Sequence, residues 1–183
     1  MIGCYDYCGH YDWTFGWLQR EGTRELVHEY WAKAISVDSR RHTRALIAAE
    51  GIEGMRKYWG QVLDEEAAGY AITAEERSFR IDMHACPSKG FLLRNGLENF
   101  EDYCDHCIGW IGPVMRDAGY VIDHQHNHCG QCWWVMRRKE DAAAPLPPGA
   151  PNDVRHLPGW SQPGTDTFVG ATGVTGKRKT DPS

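Results

Sequence analysis

Two Cys-x2-Cys pairs, Cys104-Asp105-His106-Cys107 and Cys129-Gly130-Gln131-Cys132, stand 21 residues apart, and the fold has to give four neighbouring thiols a use. Thiols three apart on one helix point the same way, and a pair flanking a turn can present both sulfurs together. Four thiolates at about 2.3 Å would close a tetrahedral zinc site made of Cys104, Cys107, Cys129 and Cys132. The competing readings treat Cys104 and Cys107 as small buried residues beside Ile108 and Ile111, or treat the thiols as a redox dithiol.

Composition sharpens this choice. The 183 residues hold seven Cys, nine His and eight Trp, and all the cysteines fall between Cys4 and Cys132. The cysteine count is odd, and Met1-Ile2-Gly3-Cys4-Tyr5-Asp6-Tyr7-Cys8 has neither a basic region nor an apolar one that would mark an export signal. Reduced thiols used for metal or catalysis, in a cytoplasmic protein, are therefore the expectation. Twenty Lys and Arg against 25 Asp and Glu give a net charge of −5 with no long basic stripe, which argues against nucleic acid. Short apolar runs and a mean hydropathy of −0.56 argue against a membrane span.

Hydrophobic periodicity predicts an α+β fold. Residues 1–66 read as helices: Thr23 caps a run through Leu26, Val27, Tyr30, Trp31 and Ala34, and Asp38 or Ser39 caps a second through Leu46 and Ile47 that ends at Gly51. A third runs from Ile52 to Glu66 with Met55, Tyr58, Trp59, Val62 and Leu63 on one side. The period then becomes 2. Phe79, Ile81, Met83 and Ala85 alternate with Arg80, Asp82 and His84 as on a half-buried strand, with Gly69–Thr73 as its shorter partner.

Pro87 opens a segment closed at Asn95-Gly96, a longer helix spans Asn99 to Ala118, and Tyr120–Asn127 and Gln131–Arg138 form a hairpin. Helices packed with a small antiparallel sheet in the order β-β-α-α-β-β follow, as one domain over 1–140. Residues 141–183 hold seven of the nine Pro and no Cys, and read as an extended tail that Trp160 and Phe168 can anchor on this subunit or on a neighbour in a homo-oligomer.

Three further groups carry chemistry. On a strand, His124, His126 and His128 share one face. Alternate positions lie about 6.6 Å apart, so two of them can meet one metal, whereas His124 and His128 at about 13 Å cannot. A mixed site, with His124 or His126 joining Cys132, Cys86 or Cys104 and a position left open, competes with the four-thiolate set. His84-Ala85-Cys86-Pro87 closes a strand, where Cys86 reads equally as ligand, as nucleophile with His84 as base, or as core thiol. Cys4, Cys8, His10 and Asp12 lie in an aromatic stretch better suited to packing over a pocket than to a second metal.

The run from Phe79 to Met136, with Cys86-Pro87, Tyr103-Cys104-Asp105-His106-Cys107 and Cys129-Gly130-Gln131-Cys132-Trp133-Trp134, resembles the L-2-amino-thiazoline-4-carboxylic acid hydrolase-like family. It is distantly similar to the 4-vinyl reductase-type small-molecule-binding domain, a resemblance that implies cysteine-held zinc. One departure stands out, since the hydrolase-like pattern has an acid where this chain has Cys107. The reading is a zinc-dependent hydrolase or lyase acting on a small, ring-containing molecule, with His84, His124, His126 and Cys86 as catalytic candidates. Its rivals are a zinc-stapled binding or sensor domain without catalysis and an interaction module that docks through its tail.

Overall fold

The computed structural model describes residues 5–97, 99–144, 153–154 and 166–168. Its elements are α1 (Tyr5–Glu21), α2 (Arg24–Tyr30) running on through a π-helical stretch (Trp31–Ser39), α3 (Arg41–Glu50), α4 (Ile52–Glu65), β1 (Gly69–Ala74), β2 (Ser78–Ala85), α5 (Pro87–Asn95), α6 (Asp105–Asp117), β3 (Tyr120–His126), β4 (Cys132–Arg138) and β5 (Asp166–Phe168). The strands form one antiparallel sheet in the order β1-β2-β4-β3-β5, so the expected helices-then-ββααββ arrangement is the one found. No described helix is long and apolar enough to cross a membrane.

Local chemistry explains most boundaries. The Thr23 hydroxyl accepts from the Leu26 N–H at 3.2 Å and starts α2, as its position predicts. Neither Asp38 nor Ser39 caps α3, which begins after Arg40 without a side-chain cap. Gly51, at φ 60°, lets the chain turn between α3 and α4, a conformation that a Cβ would strain.

The larger difference lies before α6. The buried Asp12 carboxylate of α1 accepts from the Asn99 N–H (2.8 Å), the Asn99 side-chain amide (2.9 Å) and the Phe100 N–H (3.0 Å). These donors are satisfied across the structure and not along a helix, so α6 starts at Asp105 and Cys104 is its N-cap residue. The aromatic N-terminal stretch is itself helical, and Phe15 sits in the core against Trp31, Phe100 and Tyr103.

Pairing of Met83 with Cys132 and of Cys132 with His126 fixes which side chains share a face. Phe79, Ile81, Met83, Cys132, Trp134, Met136, Ile122, His124 and His126 fall on one face, against the helices. On the other lie Arg80, Asp82, Trp133, Val135, Arg137 and Asp123. The alternation predicts that this second face meets solvent, yet Arg80 and Asp82 are 4% and 1% exposed.

Two features make that burial tolerable. Arg80 forks onto Asp82 with two bonds of 2.7 Å and reaches Asp153 at 3.1 Å, while Arg137 meets Asp123 at 2.6 Å. The second is cover from the C-terminal segment: the Val154 N–H donates to Asp82 at 3.1 Å, and Val154 packs with Trp133 and Val135. Part of the segment read as a tail therefore docks on this chain's own sheet, while Trp160 lies outside the described residues.

Gly109 brings α6 close to the π-helical stretch, because a Cβ there would stand 2.5 Å from Trp31 Cε3. Gly109→Ala is expected to destabilise the protein by about 1–3 kcal/mol, the usual range for overpacking. Gly60→Ala on α4, where a Cβ meets nothing within 4 Å, should instead stabilise by about 0.5–1 kcal/mol. Urea unfolding of both variants measures the opposite signs.

Candidate metal centre

Pro87 at the first turn of α5 and the N-cap Cys86 end β2 beside the β3–β4 turn, where the Cys86 N–H donates to the Gly130 carbonyl at 2.8 Å. Asn127 shapes that turn, its side-chain oxygen accepting from the N–H groups of Cys129 (2.9 Å) and Gln131 (3.2 Å). His128 takes a left-handed conformation, φ 58°, which is uncommon for a side chain with a Cβ and re-aims its ring. That ring lies edge-on to His126, with centroids 4.3 Å apart.

The result is a compact Cys/His group. The ligand atoms of Cys104, His126 and His128 all lie within 4.8 Å of one another. Two ligands of a tetrahedral zinc ion are separated by about 3.5 Å, so side-chain shifts of about an ångström would close a shell around one ion. His126 and His128 are neighbouring members of the histidine row. Their partner, Cys104, was among the candidates.

Asp105, the first residue of α6, supplies the support. Its carboxylate accepts from His126 Nε2 at 2.8 Å, so Nδ1 carries the lone pair on the other side of the ring. A carboxylate behind a ligating histidine fixes the tautomer and raises ligand basicity. Arg24 lies 2.9 Å from Asp102 and 3.8 Å from Asp105 at the same corner.

Beside this group is a cavity of about 30 Å³. Four thiols (Cys86, Cys104, Cys107, Cys132) and three imidazoles (His106, His124, His126) line it, with Lys89, Tyr103, Gln131 and Trp134. The surrounding protein raises the thiols of Cys86, Cys104, Cys107 and Cys132 above their ordinary range, since burial disfavours the thiolate. Burial likewise holds His124 well below the usual imidazole range and lowers His106 to about 4. A cation in the cavity would act against the first effect, because a coordinating thiol loses its proton to the metal.

The sequence candidates divide on this geometry. Cys86, Cys104, Cys107 and Cys132 reach the cavity, but Cys129 is exposed at the hairpin tip and is not among its lining residues. The four thiols of the two pairs are not the set held within 4.8 Å, because the Asn127-shaped turn carries Cys129 outward and α6 begins only after Cys104. His124 lines the cavity, stacked on Trp134 with centroids 3.5 Å apart. His84 is not among the residues lining the cavity, and the β1–β2 register shifts beside it.

Cys8 is buried in the core and His10 is exposed; Cys4 lies outside the described residues. His106, His128 and Lys89 are not among the site residues that the sequence picks out. The adjacency of His106 to Cys107 in Cys-Asp-His-Cys was the legible signal for the first. Nothing in strand geometry could signal a left-handed His128.

Asp105→Asn should weaken metal affinity by about 10–100-fold, the usual effect of removing such a support. Competition for the metal against a chromophoric chelator measures it, and affinity equal to that of the parent would show that Asp105 does not orient a ligand.

No protein-family model, no curated protein and no solved structure matches this chain.

Proposed function

We propose that the protein is a small zinc-dependent enzyme, a hydrolase or lyase of small organic molecules, with Cys104, His126 and His128 as the protein ligands. The observation that carries this reading is the convergence of those three ligand atoms within 4.8 Å at the edge of a cavity rich in thiols and imidazoles. One thiolate and two neutral imidazoles suit the borderline-soft zinc ion, and a fourth position is left for water or substrate.

Charge favours a catalytic over a structural ion. A divalent ion with one thiolate keeps a net positive charge, whereas four thiolates would make the centre anionic and poor at acidifying water. Zinc at such an open site lowers the pKa of bound water and polarises a carbonyl oxygen. His124 and Cys86 line the same cavity and are the candidates to move a proton or hold the substrate. The free space suits water on the metal, and a ring-sized substrate would have to displace side chains at the cavity mouth.

The resemblance to the hydrolase-like family supports the same direction. The zinc-stapled binding domain remains the rival, and it differs in requiring a closed shell. Elemental analysis of the purified protein should find one zinc per chain, lost in Cys104→Ser and His126→Ala and kept in Cys129→Ser. In the cobalt-substituted protein, azide should shift the visible bands by entering the open position. Zinc lost from Cys129→Ser but kept in His126→Ala, with bands indifferent to azide, would mean a structural thiolate staple.

A further inference from the structure

Away from the cavity, α1 shows large aromatic residues to the outside. Tyr7, Trp13 and Trp17 are 66%, 52% and 43% exposed, although the opposite side of the same helix buries Cys8, Asp12 and Phe15. The three positions fall within one third of the helix circumference, and His10 between them is exposed as well. The Trp13 and Trp17 rings are tilted by only 8° with centroids 6.3 Å apart, and Leu97 flanks the ridge, 3.7 Å from where a Gly9 Cβ would stand. Single exposed apolar residues need no explanation, but a row of them along one helix face marks an interaction surface.

The chain itself holds a segment that matches the ridge. Between Ala144 and Asp153 runs Pro145-Leu146-Pro147-Pro148-Gly149-Ala150-Pro151-Asn152, with proline at every third position, 145, 148 and 151. A polyproline II helix has three residues per turn and rises about 9.3 Å over them, so this spacing sets three prolines on one edge. Six residues of α-helix rise about 9 Å, so Tyr7 and Trp13 stand at the same interval. Proline-rich segments dock on exposed aromatic rings because a chain already held near φ of about −65° loses little freedom on binding.

We infer that this aromatic face of α1 receives residues 145–151 of a second copy of the chain, joining copies head to tail. The source of the segment follows from where it is tied. The Ala144 carbonyl accepts from Arg137 at 2.7 Å and Asp153 meets Arg80 at 3.1 Å, both on the sheet face away from the helices. α1 packs on α2 and α5, on the helix side. Eight residues tied at both ends reach out about 16 Å at most before they must return. Sheet and helix layer together are about 15–20 Å deep before any path round an edge is added, so a chain's own segment falls short of its own ridge.

Because ridge and segment lie on opposite sides, the contact is heterologous, and copies add in rings or filaments. A lipid surface fits the ridge less well, since α1 carries one Arg and no Lys. The inference uses no residue of the metal centre, so it stands or falls separately from the reading above.

Size exclusion with light scattering tests it on the full chain. The mass of the parent should rise with concentration above the 20.8 kDa of one chain. Trp13→Ala/Trp17→Ala and Pro145→Ala/Pro148→Ala/Pro151→Ala should each stay at one chain. Their equimolar mixture should give a pair and nothing longer, since each keeps one intact surface. A peptide of residues 143–153 should dissolve the parent assembly and bind the tryptophan variant at least about tenfold more weakly, the usual weight of aromatic anchors at a contact. The substituted rings are exposed, and an unchanged urea midpoint separates loss of assembly from loss of fold.

A parent that stays monomeric at every concentration overturns the assignment, as does a tryptophan variant that assembles like the parent. If that variant does not fold, the peptide decides, and a parent assembly indifferent to it refutes the contact. Assembly kept by the proline variant would pair ridge with ridge and overturn the role of the segment. A monomer that floats with phosphatidylglycerol vesicles would make the ridge a membrane contact, against the inference.

Discussion

The register of β2, β4 and β3 is the constraint on which the rest depends. Because side chains alternate, pairing Met83 with Cys132 and Cys132 with His126 commits every other residue of three strands to the helix-covered face. A slip of one residue would send His124, His126 and Cys132 to the far side and bring Arg80, Asp82 and Asp123 into the apolar core. The register is doubly enforced, since the far face has its own requirement: its buried carboxylates and guanidinium groups must find one another. They do so through Arg80–Asp82–Asp153 and Arg137–Asp123.

The site then follows from two local departures from regular structure. Asp12 holds the backbone of Asn99 and Phe100 out of a helix, so α6 begins with Asp105 facing His126 and Cys104 at its N-cap. At the other end, Asn127 organises a turn in which His128 adopts positive φ and swings against His126. Neither feature belongs to a strand or a helix, yet together they convert a row of histidines into a cluster that includes a thiol.

This explains what could be read from the sequence. Element types and order were legible because Met55, Tyr58, Trp59 and Leu63 repeat at helical spacing and Phe79, Ile81 and Met83 at strand spacing. Burial of the second face was not, because Arg80 and Asp82 mimic a solvated edge until Asp153 and Val154 are known to cover them. At the site, three of the four paired cysteines, Cys104, Cys107 and Cys132, line one cavity, and Cys104 lies beside His126. Strand spacing rules out only an ion shared by His124 and His128, and the left-handed turn that brings His128 against His126 has no strand signature. His106 stands next to Cys107 in sequence and lines the same cavity, so the Cys-Asp-His-Cys run carries its signal openly.

The central claim is a mixed ligand shell and not a thiolate one, and zinc K-edge X-ray absorption of the purified protein addresses the shell directly. The account predicts one sulfur at about 2.3 Å and three nitrogen or oxygen neighbours at about 2.0–2.1 Å. A shell of four sulfurs would contradict it, making the two cysteine pairs a structural staple and removing the open position on which the proposed chemistry depends.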